Sequence, residues 1–172
     1  MQRLILLIVS LLIVDILTAQ NIIFNWQSCL SGYESEEFDI YPHSIVKTAD
    51  GYLMVANYQV PTSAPPPQTY SNDIWLVKLD DDGNYIWDKF FAGTKGDSPS
   101  IILASLDGYF YIIGGSASCD GDITFDPYPD SFDYWIIKID ANGNKIWDKI
   151  IGGTSGEYMY NASANADADG GI

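Results

Sequence analysis

The sequence predicts an all-β fold built from repeated four-stranded antiparallel sheets, and three observations support this. The segment 73–94, DIWLVKLDDDGNYIWDKFFAGT, recurs at 133–154 as DYWIIKIDANGNKIWDKIIGGT, at a constant offset and without a gap. Apolar residues alternate with period two inside both segments, which is typical of strands. No window of useful length in the repeat region shows helical periodicity, and Gly and Pro punctuate the candidate segments. A self-similar period of this length indicates a repeat architecture.

The segment 1–19 precedes the repeat region and has the pattern of a secretory signal peptide. Arg3 gives a positive start, an apolar stretch follows, and Ala19 offers a small residue at the cleavage point. An uncleaved membrane anchor is the alternative, but Asp15 would then lie inside the apolar helix at a cost of about 2–3 kcal/mol. We therefore expect export and a secreted or cell-surface location.

The repeat region, residues 20–172, is predicted to begin and end part-way through a repeat. Trp26, Trp87 and Trp147 recur at nearly the same interval as the repeated segments, so the strand around Trp26 belongs to a preceding repeat. The predicted units are a partial strand at 21–30, full repeats at about 42–91 and 99–151, and the start of a further repeat at 158–172.

Each full repeat is predicted to contain two hairpins whose turns consist of Asp, Asn and Gly. Gly and Asn accept positive φ, and Asp caps its own turn. The predicted turns lie at 50–51, 80–84, 107–108 and 140–144. The predicted strands lie at 45–48, 53–58, 74–79, 85–91, 101–105, 109–114, 134–139 and 145–151. Strands 74–79 and 134–139 are apolar on both faces and are expected to be central and covered on both sides.

Four short antiparallel strands with a Trp in the last form the content of one β-propeller blade, in a kelch-like layout. The segments DYWIIKIDANGNKIWDKIIGGTSGE and ADADGGI resemble the repeats of secreted propeller-type proteins of Bacteroidetes, over most of residues 22–172. The resemblance implies a scaffold and not a reaction. Many such proteins end in a type IX secretion sorting domain, which is absent from this sequence.

Two full blades are fewer than the four to eight that close a propeller, so the expected fold is an incomplete propeller. Each blade buries its faces only against its neighbours. We therefore expect a fragment of a longer secreted protein or self-association with other copies, and an open stack of two sheets is a third possibility. Ending at Asp169-Gly170-Gly171-Ile172, on the turn of an unfinished hairpin, favours the fragment.

The charge of the chain excludes some classes of partner. The formal net charge is −15, with eight Lys and Arg against 23 Asp and Glu. Nucleic-acid binding is excluded because phosphate contacts need clustered Lys and Arg. No stretch of the mature chain is apolar enough to span a bilayer. Carbohydrate and protein surfaces remain as predicted partners.

The residues with the composition of a metal site lie in the acidic loop at 119–133. Asp120, Asp122, Asp126 and Asp130 are the candidate calcium ligands, and Asp133 follows them. Oxygen-rich extracellular loops are typical of weak calcium sites, while a solvated acidic loop is the alternative. Calcium is accordingly the one cofactor considered.

The two loops between the hairpins, 60–72 and 116–132, occupy the same place in their repeats. Such loops emerge on one rim, which is often the binding face. Tyr70, Phe125, Tyr128 and Phe132 place aromatic rings there beside acids, which suits carbohydrate or protein ligands. The predicted function is a non-catalytic extracellular binding or adhesion module. The alternative is part of a secreted propeller enzyme, a hydrolase or lyase, with its active site outside this segment.

His43 is the sole histidine, and no sequence motif supplies it with a catalytic partner. The cysteines, Cys29 and Cys119, are predicted to lie a whole blade apart and to remain unbonded. If the blades were divided differently, the two cysteines would lie in adjacent sheets and could form a disulfide.

Overall fold

The computed structural model describes residues 40–61, 70–129, 131–157 and 164. Several predictions concern residues outside this set: the signal peptide, the partial strand at 21–30, Cys29, Asp130 and nearly all of segment 158–172.

All regular structure in the described residues is β-strand, as predicted. The eight strands are β1 (Ile40–Thr48), β2 (Gly51–Pro61), β3 (Tyr70–Leu79), β4 (Tyr85–Phe91), β5 (Asp97–Ala104), β6 (Phe110–Ser116), β7 (Asp133–Ile139) and β8 (Lys145–Ile151). They form two four-stranded antiparallel sheets, ordered β1-β2-β3-β4 and β5-β6-β7-β8. Trp75 and Trp135 occupy equivalent positions in β3 and β7, and Trp87 and Trp147 do so in β4 and β8. The four-stranded unit predicted from the repeat is therefore confirmed.

The Asp-rich turns are fixed by their own side chains. Asp80 Oδ1 accepts hydrogen bonds from the backbone N–H groups of Asp82 at 2.9 Å and Asn84 at 2.7 Å. The second repeat forms the same pair of bonds around Asp140, at 2.9 and 2.8 Å. Gly143 follows with φ of +71°, a conformation that residues with a Cβ rarely adopt. These acidic turns are structural, as their shared sequence indicates.

The two Asp-Gly hairpins differ although their sequences match. In the first sheet Thr48 pairs with Gly51, so the turn has two residues. In the second sheet Ala104 pairs with Phe110, and the Ser105 N–H bonds the Tyr109 carbonyl at 2.9 Å, which leaves a longer turn. The pairing of β6 is therefore displaced by one residue relative to that of β2.

The two sheets pack face to face and share one hydrophobic core. From the first sheet this core takes Leu53, Val55, Ile74, Leu76 and Phe91; from the second, Ile102, Phe110, Ile112, Trp135, Ile137, Ile139 and Ile150; and from the loop after β6, Ile123. The repeat counterparts of Trp135 and Ile137 are Trp75 and Val77, which are buried in a separate cluster on the other face of the first sheet. Opposite faces of equivalent strands therefore meet, so the second sheet stacks on the first without reversing its orientation.

Two side-chain pairs recur in both sheets and tie neighbouring strands together. Trp75 Nε1 donates to Asp88 Oδ2 at 2.7 Å, and Trp135 Nε1 donates to Asp148 at 3.1 Å. A lysine of the third strand also pairs with the Asp of the Asp-Gly turn. These pairs are Lys78–Asp50 at 2.7 Å and Lys138–Asp107 at 2.8 Å.

Two expectations from the sequence are met only in part. All residues of β3 from Ile74 to Leu79 are buried, as predicted. In β7 only alternate residues are buried, and the prediction of cover on both sides is wrong there. The sheets are two separate four-stranded units that do not close into a ring.

Candidate functional site

Three irregular segments lie together at one end of the sheets and form the candidate site. The rim loop, residues 117–132, connects β6 to β7. The first linker, residues 92–96, connects β4 to β5. The second linker, residues 152–156, follows β8 at the equivalent place in the next repeat.

Backbone and carboxylate bonds hold the rim loop against the first linker. Asp120 accepts hydrogen bonds from the Thr94 N–H at 2.8 Å and from Thr94 Oγ1 at 3.0 Å. Asp122 Oδ2 accepts from the Ala92 N–H at 3.0 Å, and the Asp122 N–H donates to the Ala92 carbonyl at 2.8 Å. The rim loop is thus fixed to the linker between the sheets at several points.

Two glycines allow this close approach. A Cβ on Gly93 would lie 2.3 Å from the Cβ of Ser118, which is closer than non-bonded carbon atoms can approach. Gly121 has φ of +65°, and a Cβ there would lie 2.3 Å from the Ala92 carbonyl oxygen. Glycine is required at both positions because the rim loop and the first linker are in direct backbone contact.

A cleft of about 280 Å³ opens on the rim loop. Its lining consists of Pro127, Tyr128, Pro129, Ser131 and Thr154. The rim loop supplies all of these except Thr154, which belongs to the second linker. The cleft therefore lies where the two segments meet.

The wall of the cleft is held in place by hydrogen bonds. Asp126 Oδ1 accepts from the Tyr128 N–H at 2.7 Å. Lys95 Nζ donates to the Pro129 carbonyl at 3.1 Å. The Tyr128 ring remains 37% exposed and the nearby Phe125 ring 71% exposed. The site therefore combines a fixed backbone with accessible aromatic surface.

A buried carboxylate lies at the first junction between repeats, where the first linker enters β5. Asp97 is fully buried and accepts hydrogen bonds from the Gly93 N–H at 2.7 Å, from Ser118 Oγ at 3.1 Å and from Ser116 Oγ. Burial raises the pKa of Asp97, and these bonds oppose that rise. Burial, with the nearby Asp97 charge, also raises the pKa of Asp73 to about 6.

The second junction places Asp133 and Glu157 together, at the repeat positions of Asp73 and Asp97. Asp133 is 1% exposed, and its Oδ2 accepts a hydrogen bond from Ser131 Oγ at 2.8 Å. Contact with the Asp133 carboxyl is the main cause that raises the pKa of Glu157. Both junctions therefore bring two acidic side chains close to one another.

The predicted calcium ligands form hydrogen bonds with different parts of the structure. Asp120 and Asp122 both bond to the first linker, whereas Asp126 caps Tyr128, and Asp130 lies outside the described residues. Within the described ranges, no group of three or more His, Cys, Asp or Glu side chains is arranged to hold a metal ion. Calcium binding by this set stays a prediction.

The other reactive residues lie apart from the cleft. His43 is exposed on β1, at the irregularity between Pro42 and Ser44, and partial desolvation lowers its pKa. Cys119 is a free, exposed cysteine of the rim loop.

Sequence reasoning did not identify the acidic pairs at the junctions, although a signal for them exists. Ser-x-Asp occurs at both 71–73 and 131–133, and Gly followed by an acid occurs at both 96–97 and 156–157. These acids recur where strands begin, whereas the acids of the turns are solvated. A carboxylate that becomes buried at a strand start needs hydrogen-bond donors or a cation, so the repeated acids point to such partners.

No helix among the described residues is long and apolar enough to cross a membrane. No protein-family model matches the chain, and no curated protein sequence matches it significantly.

Proposed function

We propose that this chain is a non-catalytic extracellular binding module whose ligand site is the cleft on the rim loop. The carrying observation is the cleft lined by Pro127, Tyr128, Pro129, Ser131 and Thr154, on a loop whose backbone is held by hydrogen bonds. A site that is ordered before the ligand arrives loses little conformational entropy on binding. The export pattern at the N-terminus is consistent with a ligand outside the cell.

The scaffold of this module is proposed to be a propeller-like array of blades. The two sheets stack by opposite faces of equivalent strands, so the same contact can be repeated by further blades. Insertions at one repeat position then emerge on one rim, where the cleft lies. Further blades could come from the same chain or from another copy.

A neutral carbohydrate is the ligand class that best fits the cleft. The Tyr128 ring offers an apolar face to a sugar ring, while Ser131 and Thr154 offer hydroxyl groups. A volume of about 280 Å³ is close to the lower limit of small-molecule sites. The net charge of −15 repels polyanions, so sulfated or uronic-acid polymers are disfavoured.

Calorimetric titration with neutral and anionic oligosaccharides tests this proposal. Neutral sugars are expected to bind, and Tyr128→Ala should weaken binding about tenfold, the effect of losing one ring contact of roughly 1.4 kcal/mol. Trp147→Ala is the matched control, because Trp147 is similarly exposed at 41% but lies on β8 and does not line the cleft. This control should bind like the wild type.

Two results would contradict the proposal. Retained sugar affinity in the Tyr128→Ala protein would remove the cleft from consideration. Release of shorter oligosaccharides during prolonged incubation would show turnover and favour the enzyme alternative. If a purified protein bound and no sugar did, the chain would still be a binding module, but its ligand would be a protein and not a carbohydrate.

A further inference from the structure

The carboxylate of Asp133 is buried but lacks a partner on one oxygen. The residue is 1% exposed, and its Oδ1 has no hydrogen-bond partner among the residues that the structure describes. A Cβ on Gly152 would lie 2.1 Å from this oxygen, so the absence of a side chain at Gly152 makes room for the carboxylate. An unpartnered buried oxygen of a charged group is costly, because it loses hydration without replacement.

The neighbouring hydroxyl is surrounded by more acceptors than it can satisfy. Ser131 Oγ lies 2.8 Å from Asp133 Oδ2, 2.9 Å from the Tyr128 carbonyl oxygen and 2.9 Å from the Gly153 carbonyl oxygen. A hydroxyl group carries one hydrogen and can donate it to one of these oxygens at a time. The cluster therefore contains oxygen atoms in excess of the hydrogens available to bridge them.

Glu157 adds a second carboxylate to the same cluster. Its Oε2 accepts a long hydrogen bond of 3.3 Å from the Gly153 N–H. A hydrogen bond with the Asp133 carboxyl is the first cause that raises the pKa of Glu157, so the two carboxyl groups lie side by side in this cluster.

The first junction differs in the hydrogen-bond donors that reach one of its two acids. There Asp97 receives hydrogen bonds from Gly93, Ser116 and Ser118. Ala92 stands where the second repeat has Gly152, and Asp97 stands where it has the longer Glu157. The second junction thus has a glycine beside its Asp, a longer second acid and an unpartnered carboxylate oxygen, whereas three donors reach the Asp97 carboxylate of the first.

We propose that the second junction binds a calcium ion, with ligands from the Asp133 and Glu157 carboxylates, Ser131 Oγ and the Gly153 carbonyl oxygen. Calcium prefers such a mixture of carboxylate, carbonyl and hydroxyl oxygens, and it tolerates irregular geometry. One divalent cation would neutralise both carboxylates and partner the buried oxygen of Asp133. This site differs from the acidic set at 120–130 and does not depend on the cleft binding a sugar.

Calcium at this junction would join two segments of the chain. Asp133 begins β7, and Glu157 follows the second linker. Ser131 also lines the cleft, so the ion would hold one wall of it in place. None of the proposed calcium ligands comes from a molecule bound in the cleft. Calcium binding can therefore be measured without a sugar.

Calorimetric titration of the full chain with calcium chloride, without sugar, tests this proposal. We expect a dissociation constant of about 0.1–1 mM, the range of extracellular calcium modules. Glu157→Gln preserves shape and removes one charge, and it should weaken binding about tenfold or more. The double variant Gly152→Ala, Glu157→Asp gives the second junction the residues of the first at these positions and should abolish binding.

Asp82→Asn is the matched control, because it removes one exposed carboxylate charge from the turn at 80–84, away from the junction. Its affinity should equal that of the wild type. Terbium luminescence provides a second measurement, and circular dichroism checks that each variant is folded. Three results would overturn the proposal: no calcium heat below 10 mM, which lies roughly tenfold above the expected range; unchanged affinity in folded Glu157→Gln protein; or loss of binding in Asp126→Asn or Asp122→Asn instead.

Discussion

The two sheets have nearly the same residues in β3 and β7, yet opposite faces of these strands lie in the shared core. From β3 the core takes Ile74 and Leu76, and from β7 it takes Trp135 and Ile137. The same period-two pattern therefore serves two different packing roles. A strand that is apolar on both faces can pack one face against the sheet before it and the other against the sheet after it. Successive sheets can therefore stack in the same orientation.

The clearest measure of this difference is the pair of tryptophans in the last strands. Trp87 packs against the shared core and lies beside Gly143 of the other sheet. Its counterpart Trp147 is 41% exposed and contacts the Tyr111 ring edge-on at 5.8 Å. Identical residues at equivalent positions thus differ in how much apolar surface they bury.

The largest expected effect comes from truncating these two tryptophans. Trp87→Ala should lower the free energy of unfolding by about 2–3 kcal/mol, because it leaves a cavity between the sheets. Trp147→Ala should lower it by about 1 kcal/mol, since 41% of that residue is already exposed to solvent and it leaves no cavity in the shared core. Urea unfolding at pH 7 measures both. Equal losses would mean that the two sheets do not stack through Trp87.

A smaller effect is expected from closing the space beneath Trp87. Gly143 and Gly108 both have positive φ, at +71° and +85°, so alanine at either position costs about 1 kcal/mol of backbone strain. A Cβ on Gly143 would also lie 2.7 Å from the Trp87 ring, whereas one on Gly108 meets nothing within 4 Å. Gly143→Ala should therefore cost about 1 kcal/mol more than Gly108→Ala in thermal unfolding. Equal costs would contradict the contact between the sheets.

The smallest expected effect concerns the first junction and its pH dependence. The pKa of Asp73 is raised to about 6 from 3.8, so the folded state holds a proton that the unfolded state releases. The stability that the protonated Asp73 gives the folded state is fully present below pH 3.8 and is lost as the pH rises through about 6. Asp73→Asn should therefore raise stability at pH 7 by about 1 kcal/mol, after allowance for solvent screening, and leave it unchanged near pH 4.

Asp107 provides a control of opposite sign for this experiment. Its pKa is lowered to about 2, chiefly by its bond to Lys138, so its contribution is present above pH 3.8 and is lost as the pH falls through about 2. Asp107→Asn should lower stability at pH 7. Urea unfolding between pH 4 and 7 compares the two variants. A stabilising effect of Asp73→Asn that does not grow with pH would rule out a raised pKa as its cause.

The sequence predicted the parts of the fold that depend on local chemistry. Turns at 80–84 and 140–144 are specified by Asp side chains that bond to the backbone a few residues later. The constant offset between the repeated segments correctly predicted equivalent places for the tryptophans. The sequence also located the rim loop, but it did not pair Asp133 with Glu157, because the two residues are distant in the chain and meet only after β7 and β8 have formed their hairpin.

The strands, the turns and the repeating unit could be predicted from the sequence, because these follow from period-two patterns and short-range hydrogen bonds. The tertiary structure selects which face of each strand enters the shared core, since both faces of the repeat are apolar. It also decided the lengths of the two Asp-Gly turns, although their motifs match. Gly51 is buried, with the Leu79 carbonyl where a Cβ would lie, whereas Gly108 is open to solvent. The turn motif limits only the local backbone conformation. Whether a neighbouring strand lies against the turn depends on how the strands pack, so two matching motifs can form turns of different length.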